Sequence, residues 1–255
     1  MWRPRIIPCL LLKNKGLVKT VRFKDPTYIG DPINAVKIFN DKQADELVFL
    51  DITATNEGRT ISLDLVRKLS DECFMPFAVG GGFNKIEQIK KAFKFGAEKV
   101  CINTAAITNT NLIKEASRIF GNQSIIACMD VKKSLFGKYQ VLTHSGTKNT
   151  KLDPVQTALE LEHAGAGEIF LNSIDNDGMM AGYDIELIKK VAERVNVPLI
   201  ASGGAGTLEH FVDAVHNGKA SAVAAGSMFV FHGRRRAVLI TYPTNEEIRG
   251  IKWGT

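Results

Sequence analysis

The sequence predicts one (β/α)8 TIM barrel assembled from two half-barrel repeats. Two observations carry this: an internal repeat that spans both halves of the chain, and an eightfold alternation of apolar runs with capped helical patterns. The segment "PFAVGGGFNKIEQIKKAFKFGAEKVCINTA" from Pro76 overlays "PLIASGGAGTLEHFVDAVHNGKASAVAAGS" from Pro198 without a gap, a constant shift of 122 residues. Under the same shift "ELVFLDI" at Glu46 falls on "EIFLNSI" at Glu168. The opening "RIIPCLLLK" also falls on "SIIACMDVKK", with Cys9 on Cys128 and Leu11 on Asp130.

In chain order, apolar runs at 5–11, 46–51, 77–79, 99–102, 124–130, 168–171, 199–201 and 222–225 read as strands. They are nearly continuous in apolar character, as strands covered on both faces must be. Helical patterns lie between them. "DPINAVKIF" and "DPVQTALELEHAG" each start Asp-Pro, an N-cap followed by a first-turn proline, and the second ends at Gly165. "NKIEQIKKAF" lines up Ile86, Ile89 and Phe93, and "TLEHFVDAV" lines up Leu208, Phe211 and Val215. A doubly wound open sheet is the alternative; two equal, gap-free halves favour closure into a ring. The expected organisation is a single domain over 1–255, with half-barrels at about 1–120 and 121–232 and a divergent tail at 233–255.

A chain of 255 residues with 45% hydrophobic and 24% charged residues buries one full core of this size. The net charge of +6 suits an acidic ligand or partner. Its basic residues are scattered without interleaved aromatics, which argues against nucleic-acid binding. No apolar stretch has membrane-spanning length, and the opening segment lacks a signal-peptide cleavage pattern, so a cytoplasmic protein is expected. Cys9, Cys73, Cys101 and Cys128 have no metal-ligand spacing and read as reduced thiols, three of them in strand runs. No metal or cofactor motif is present. His144, His163, His210, His216 and His232 read as surface residues, and Arg234–Arg236 as a solvated charge run.

Active sites of this fold lie at the C-terminal ends of the strands. "VGGGF" after the third strand and "SGGAG" after the seventh let backbone N–H groups approach an anion closely. Asn103 and Thr104 follow the fourth strand, and Gly226 and Ser227 follow the eighth. This duplication predicts two phosphate subsites across the mouth, and hence a ligand with a phosphate at each end. Short glycine turns that merely close loops are the plainer reading. Asp51, Asp130 and Asp177 close or follow the second, fifth and sixth strands. Asp130 stands where a general acid or base belongs, among apolar neighbours that raise a carboxyl pKa; loop capping is its plainer role. Leu11, at the mirror position, can neither give nor take a proton. At the opposite ends of the strands, Arg5, Glu46, Lys99 and Glu168 alternate in sign and predict a ring of ion pairs closing the barrel bottom.

From "RIIPCL" to "GSMFVF", with "GDPINA", "ADELVFLDITA", "VGGGF", "KVCINTAA", "DNDG" and "ASGGAG" in order, the chain resembles the cyclase subunit of imidazole glycerol phosphate synthase. The resemblance implies a bisphosphorylated substrate and a heterodimer with a glutaminase subunit docked at the barrel bottom, with ammonia rising through the barrel. It implies no cofactor. By position, it makes Arg5, Glu46, Lys99 and Glu168 the ammonia gate and puts Glu98 at the glutaminase interface. Gly82, Asn103, Thr104, Gly178, Gly204 and Ser227 fall on or near the phosphate loops, and Asp51 and Asp177 on the substrate side. Lys19 matches a lysine of a mobile loop after the first strand, and Asp130 one of two catalytic aspartates. The other aspartate is Leu11 here. Asn172 and Met179 stand where threonines are usual, Thr20 replaces a glycine, and "HGRRRAVLITYP" replaces the final helix. These departures resemble a paralogous branch from surface-polysaccharide pathways, which works with a sugar amidotransferase to form an acetamidino sugar. The alternatives are a histidine-pathway cyclase that tolerates Leu11, and a non-catalytic scaffold that activates the glutaminase.

Overall fold

Side chains alternate between the two faces of a strand, so a strand sandwiched between a lumen and a helical layer needs apolar residues at nearly every position. The computed structural model, which describes residues 3–233, 235–251 and 253, meets this requirement with eight barrel strands. They are Arg5–Lys13, Leu47–Asp51, Phe77–Gly80, Lys99–Ile102, Ile125–Lys133, Glu168–Ser173, Leu199–Ser202 and Ala222–Ala225. All neighbours pair in parallel, and the ring closes where Arg5 of the first strand lies opposite Ala222 of the eighth. Each sequence-predicted strand is present, with ends that differ by at most three residues.

The outward side chains pack under a helical layer formed by Pro32–Asp41, Leu63–Glu72, Ile86–Lys94, Thr110–Phe120, Pro154–His163, Ile185–Ala192 and Leu208–His216. Phe39, Phe49, Phe211 and Phe229 are fully buried in this outer core. Such a side chain contributes about 1.5–3 kcal/mol by leaving water. The two Asp-Pro starts behave as read: Asp31 accepts from the amides of Ile33 and Asn34, and Asp153 from those of Val155 and Gln156. The inward side chains form a second, narrower cluster that includes Ile7, Val48, Ala78, Ile126, Phe170 and Ile200 together with Cys9, Cys101 and Cys128. The three strand cysteines are therefore lumen residues, as period two from Ile7 and Ile126 requires.

Three segments differ from the sequence reading. The stretch after the first strand is not an open loop: Gly16–Val21 and Lys24–Gly30 form an antiparallel hairpin that continues the first strand over the mouth. Arg22 and Phe23 turn it with positive φ values, a turn normally flagged by Gly or Asn and invisible here. The fifth strand is extended in the same way by Tyr139–Thr143, so both halves raise a hairpin after their first strand. The third difference is the tail. Around "HGRRRAVLITYP" the described residues form a short pairing of Phe231–His232 with Ala237–Val238, followed by a six-residue helix, Asn245–Gly250. Arg234, part of the basic run, lies outside the described residues; Arg236 is not merely solvated, since it donates to the carbonyl of Gly178 at 2.8 Å.

The tail is pinned by Tyr242, which is buried between Phe39 and Phe229, with its hydroxyl donating to the carbonyl of Ile6 at 2.9 Å. Tyr242→Ala is expected to cost about 3–5 kcal/mol. Tyr242→Phe, which removes the hydroxyl's bond to Ile6 and the weaker one it accepts from the Asp45 amide, should cost about 1–2 kcal/mol. Urea unfolding of the two variants checks both figures.

Candidate functional site at the barrel mouth

The C-terminal strand ends enclose a cavity of about 730 Å³. Its lining brings together, from strands and loops far apart in sequence, most residues singled out above: Leu11, Lys19, Asp51, Gly82, Asn103, Thr104, Asp130, Asn172, Asp177, Gly178, Gly204 and Ser227. Cys9, Cys101 and Cys128 form part of the same lining, beneath the mouth. Burial drives the Cys9 thiol pKa well up. For Cys128 a hydrogen bond with Cys101 and then burial do the same, so these thiols stay neutral. Arg5, Glu46, Lys99 and Glu168 lie at the other end of the barrel, and Glu98 is exposed beside Lys99.

Asp130 is the best-defined polar element. Its Oδ2 accepts from Asn103 Nδ2 at 2.8 Å and its Oδ1 from Asn172 Nδ2 at 3.2 Å. The three residues sit side by side because the fourth, fifth and sixth strands are neighbours and Asn172 is in register with Asp130. Burial raises the Asp130 pKa to about 6, opposed by the two amide hydrogen bonds, with Asp177 adding a further upward push. The repeat shift shows what the opposite wall lacks. Under the repeat, Asp130 and Asn172 match Leu11 and Leu50 of the first half, Asn103 matches Ala225 of the second, and Leu11 is in register with Leu50. One side of the mouth carries a carboxyl flanked by two amides; the matching positions on the other are apolar.

Lys19 occupies a different setting from the one expected. It lies within the first hairpin strand, is only 5% exposed, and donates to Asp177 Oδ1 at 2.8 Å and Oδ2 at 3.1 Å. Thr20 Oγ1 also donates to Asp177 Oδ2 at 3.3 Å. Two residues read as separate site members are thus one ion pair that ties the hairpin to the loop after the sixth strand. A side chain at Gly178 would come within 2.4 Å of the Thr20 carbonyl, so glycine is needed for this close approach.

Asp51 is largely spoken for. It accepts from the amides of Thr53 and Ala54 and holds Arg59 at 2.6 Å, the loop-capping arrangement of a strand-end aspartate. At Gly82 a Cβ would sit 1.8 Å from the Arg59 carbonyl, and at Gly204 one would sit 2.0 Å from that of Gly182. Chain packing therefore demands both glycines whether or not their amides meet a phosphate. Three buried polar atoms at the mouth have no partner: Asn103 Oδ1, Asn172 Oδ1 and Ser227 Oγ. Sequence reasoning missed His144, which is half-buried and lines the cavity, with its backbone N–H donating to Thr104 Oγ1 at 3.0 Å. Nothing in its local sequence separates it from a surface histidine. Among the described residues no group of His, Cys, Asp and Glu has the makings of a metal site.

The ring at the bottom closes as the alternating signs predict. Lys99 Nζ donates to Glu46 Oε1 at 3.0 Å and to Glu168 Oε1 at 2.6 Å, and Arg5 binds the remaining oxygens of both carboxylates. Both carboxylates are buried, while the cations keep some contact with water.

A sequence model for the family described as "Histidine biosynthesis protein" matches residues 5–235. The protein named "Putative imidazole glycerol phosphate synthase subunit hisF2" from Pseudomonas aeruginosa is 50% identical over 243 residues, covering 95% of this chain and 97% of its own. The chain belongs to the imidazole glycerol phosphate synthase cyclase-subunit family. A Vibrio vulnificus relative, "Putative imidazole glycerol phosphate synthase subunit hisF3", is 46% identical over 97% of this chain and 95% of its own. "Imidazole glycerol phosphate synthase subunit HisF" of Alkaliphilus metalliredigens is 45% identical over 89% and 90%. The family's (β/α)8 barrel is the fold seen here.

Two predictions follow from the charges. Glu46→Gln leaves Arg5 and Lys99 to share one carboxylate and should destabilise by about 3 kcal/mol. Glu46→Gln combined with Lys99→Met should cost less than the sum of the single changes, as measured by urea unfolding. Asp130 has a folded-state pKa above its unfolded value, so the folded chain holds that proton more tightly. Its ionised form therefore costs stability above about pH 6, and the cost vanishes as pH falls through the unfolded value near 4. Relative to Asp130→Leu, which has no titrating group, the wild type should lose stability as pH rises from 4 to 8, as followed by thermal unfolding across pH.

Proposed function

We propose that the protein is the synthase-type subunit of a two-subunit glutamine amidotransferase. Ammonia released by a glutaminase partner enters through the ring of Arg5, Glu46, Lys99 and Glu168, with Glu98 at the docking face, and rises through the lumen to the mouth. The observation that carries this reading is the pairing of a complete bottom ring with a one-sided mouth, Asp130 facing Leu11. Passage would require one of the ring's cations to swing aside, and the neutral thiols and aliphatic walls above it suit a small uncharged molecule. At the mouth, Asp130 serves as the acid or base. Gly82, Asn103 and Thr104 on one side and Gly178, Gly204 and Ser227 on the other hold a phosphorylated ligand, with Lys19 and Asp177 latching the hairpin above it. Two half-barrels about 1–120 and 121–232 supply the two sides.

A cyclisation that relies on two opposed carboxylates loses one here. General acid–base groups typically contribute 10²–10⁴-fold, so turnover of the histidine-pathway bisphosphate should be lower by roughly that factor. The ammonia then goes to another acceptor. Acetamidino-sugar formation for a surface polysaccharide, in the cytoplasm and with a sugar amidotransferase as further partner, is the reading that the sequence departures favour. The second reading, a histidine-pathway cyclase, is supported by the 45% identity to the Alkaliphilus HisF subunit.

The deciding assay mixes the protein with its cognate glutaminase, glutamine and the histidine-pathway bisphosphate. The expected outcome is stimulated glutamine hydrolysis without consumption of the bisphosphate, and appearance of cyclase activity in Leu11→Asp. Consumption by the wild type at a rate matching its glutaminase flux contradicts the proposal and restores the histidine pathway. Failure to stimulate the glutaminase removes the amidotransferase reading altogether.

A further inference from the structure

Asn172 donates one amide hydrogen to Asp130 and has nothing to show for its other end: its Oδ1 is buried without a partner, and the residue as a whole is 91% sequestered from water. Asn103 repeats the pattern from the opposite side. An unmet buried acceptor is destabilising, and a leucine of similar size would avoid it. Turning either amide over would not help, because the carbonyl would then face a carboxylate oxygen and the NH2 would be stranded instead. The arrangement makes sense only around an ionised Asp130, which accepts from both sides and donates to neither. The repeat-related residues, Leu50 for Asn172 and Ala225 for Asn103, carry no polar side-chain group, just as Leu11 carries no charge.

We infer that Asn172 is a positioning residue for Asp130, fixing the orientation of its carboxylate and holding it in the charged, proton-accepting form when a ligand occupies the mouth. The inference rests on Asp130 being the proton-handling group of the proposed function, and it deepens that reading by assigning the group's resting state as base. The side chain at position 172 is thereby a determinant of how tightly the Asp130 carboxyl holds its proton.

The other groups around Asp130 do not supply this effect. Asp177, from the loop after the sixth strand, repels the negative charge and is itself paired with Lys19 of the hairpin. Cys9 on the first strand and Cys128 below Asp130 on its own strand are neutral thiols. Only the two amides favour the carboxylate, and they are the downward influences on a pKa that burial lifts to about 6.

The test needs neither glutaminase nor substrate, so its failure is separable from failure of the functional proposal. Side-chain carboxyl ¹³C NMR of aspartate-labelled protein, assigned with Asp130→Asn, reads the Asp130 titration directly. In Asn172→Leu the midpoint should rise by roughly one pH unit, and Asn172→Thr should recover part of that shift through its hydroxyl. Asn172→Val, which removes the same donor with a smaller side chain, gives the same readout should the leucine variant not fold. Thermal unfolding at pH 4, where Asp130 is protonated in every variant, should show the leucine variant no less stable than wild type. A folded Leu or Val variant in which Asp130 titrates at the wild-type midpoint overturns the assignment and leaves Asn172 a packing residue.

Discussion

Everything functional in this chain depends on the period-two alternation of side chains along strands that are locked in a closed ring. Once the register places Ile7, Val48, Ile126 and Phe170 in the lumen, the residues two positions earlier and later have no choice of face. On the fifth strand, Ile126, Cys128 and Asp130 climb inward in sequence; on the first, Ile7, Cys9 and Leu11 do the same. Arg5, Glu46, Lys99 and Glu168 are the next step down, which is why four charges from four strands meet and neutralise one another. A one-residue slip on any of these strands would drive a charge into the helical layer, at a cost far beyond the marginal stability of a domain.

The internal repeat makes this frame twofold in geometry without making it twofold in chemistry. Both halves keep the Asp-capped helix, the hairpin over the mouth and the glycine pair. They part at one level of the lumen, where an Asn–Asp–Asn arrangement faces Leu11, Leu50 and Ala225. The bottom of the barrel is asymmetric as well: Glu46 and Glu168 match under the repeat, while Arg5 and Lys99 fall on Ser124 and Ser221. At the bottom the four charges nonetheless pair with one another, whereas at the mouth one wall has no polar counterpart. That contrast is the physical basis of the proposed ammonia-handling role and of the proposed reaction other than the usual cyclisation.

Much of this was legible in the sequence, for identifiable reasons. A charged residue opening an apolar strand, such as Glu168 before "IFLN", can only lie at a strand end, so the ring followed from its four members. Asp-Pro helix starts are equally unambiguous. What stayed hidden were contacts between distant segments. Lys19 and Asp177 were each visible as candidates, but their ion pair depends on a hairpin whose turn at Arg22 and Phe23 carries no turn residues. Gly82 looked like a phosphate glycine; the Arg59 carbonyl that requires it comes from another loop. Asn172 stood out as a departure from the family, and only the register between the fifth and sixth strands reveals that it touches Asp130. The six-residue tail helix is too short for periodicity to mark.

The central claim is that the mouth keeps two anion subsites on opposite sides while only one wall can move a proton. A crystal structure with an unreactive bisphosphorylated analogue of the histidine-pathway substrate tests it most directly. The account predicts one ligand spanning the cavity, one phosphate at Gly82 and Thr104 and the other at Gly204 and Ser227, with Asp130 facing its centre and Leu11 in van der Waals contact on the far side. A ligand held by one phosphate only, or one whose centre lies away from both Asp130 and Leu11, would contradict it.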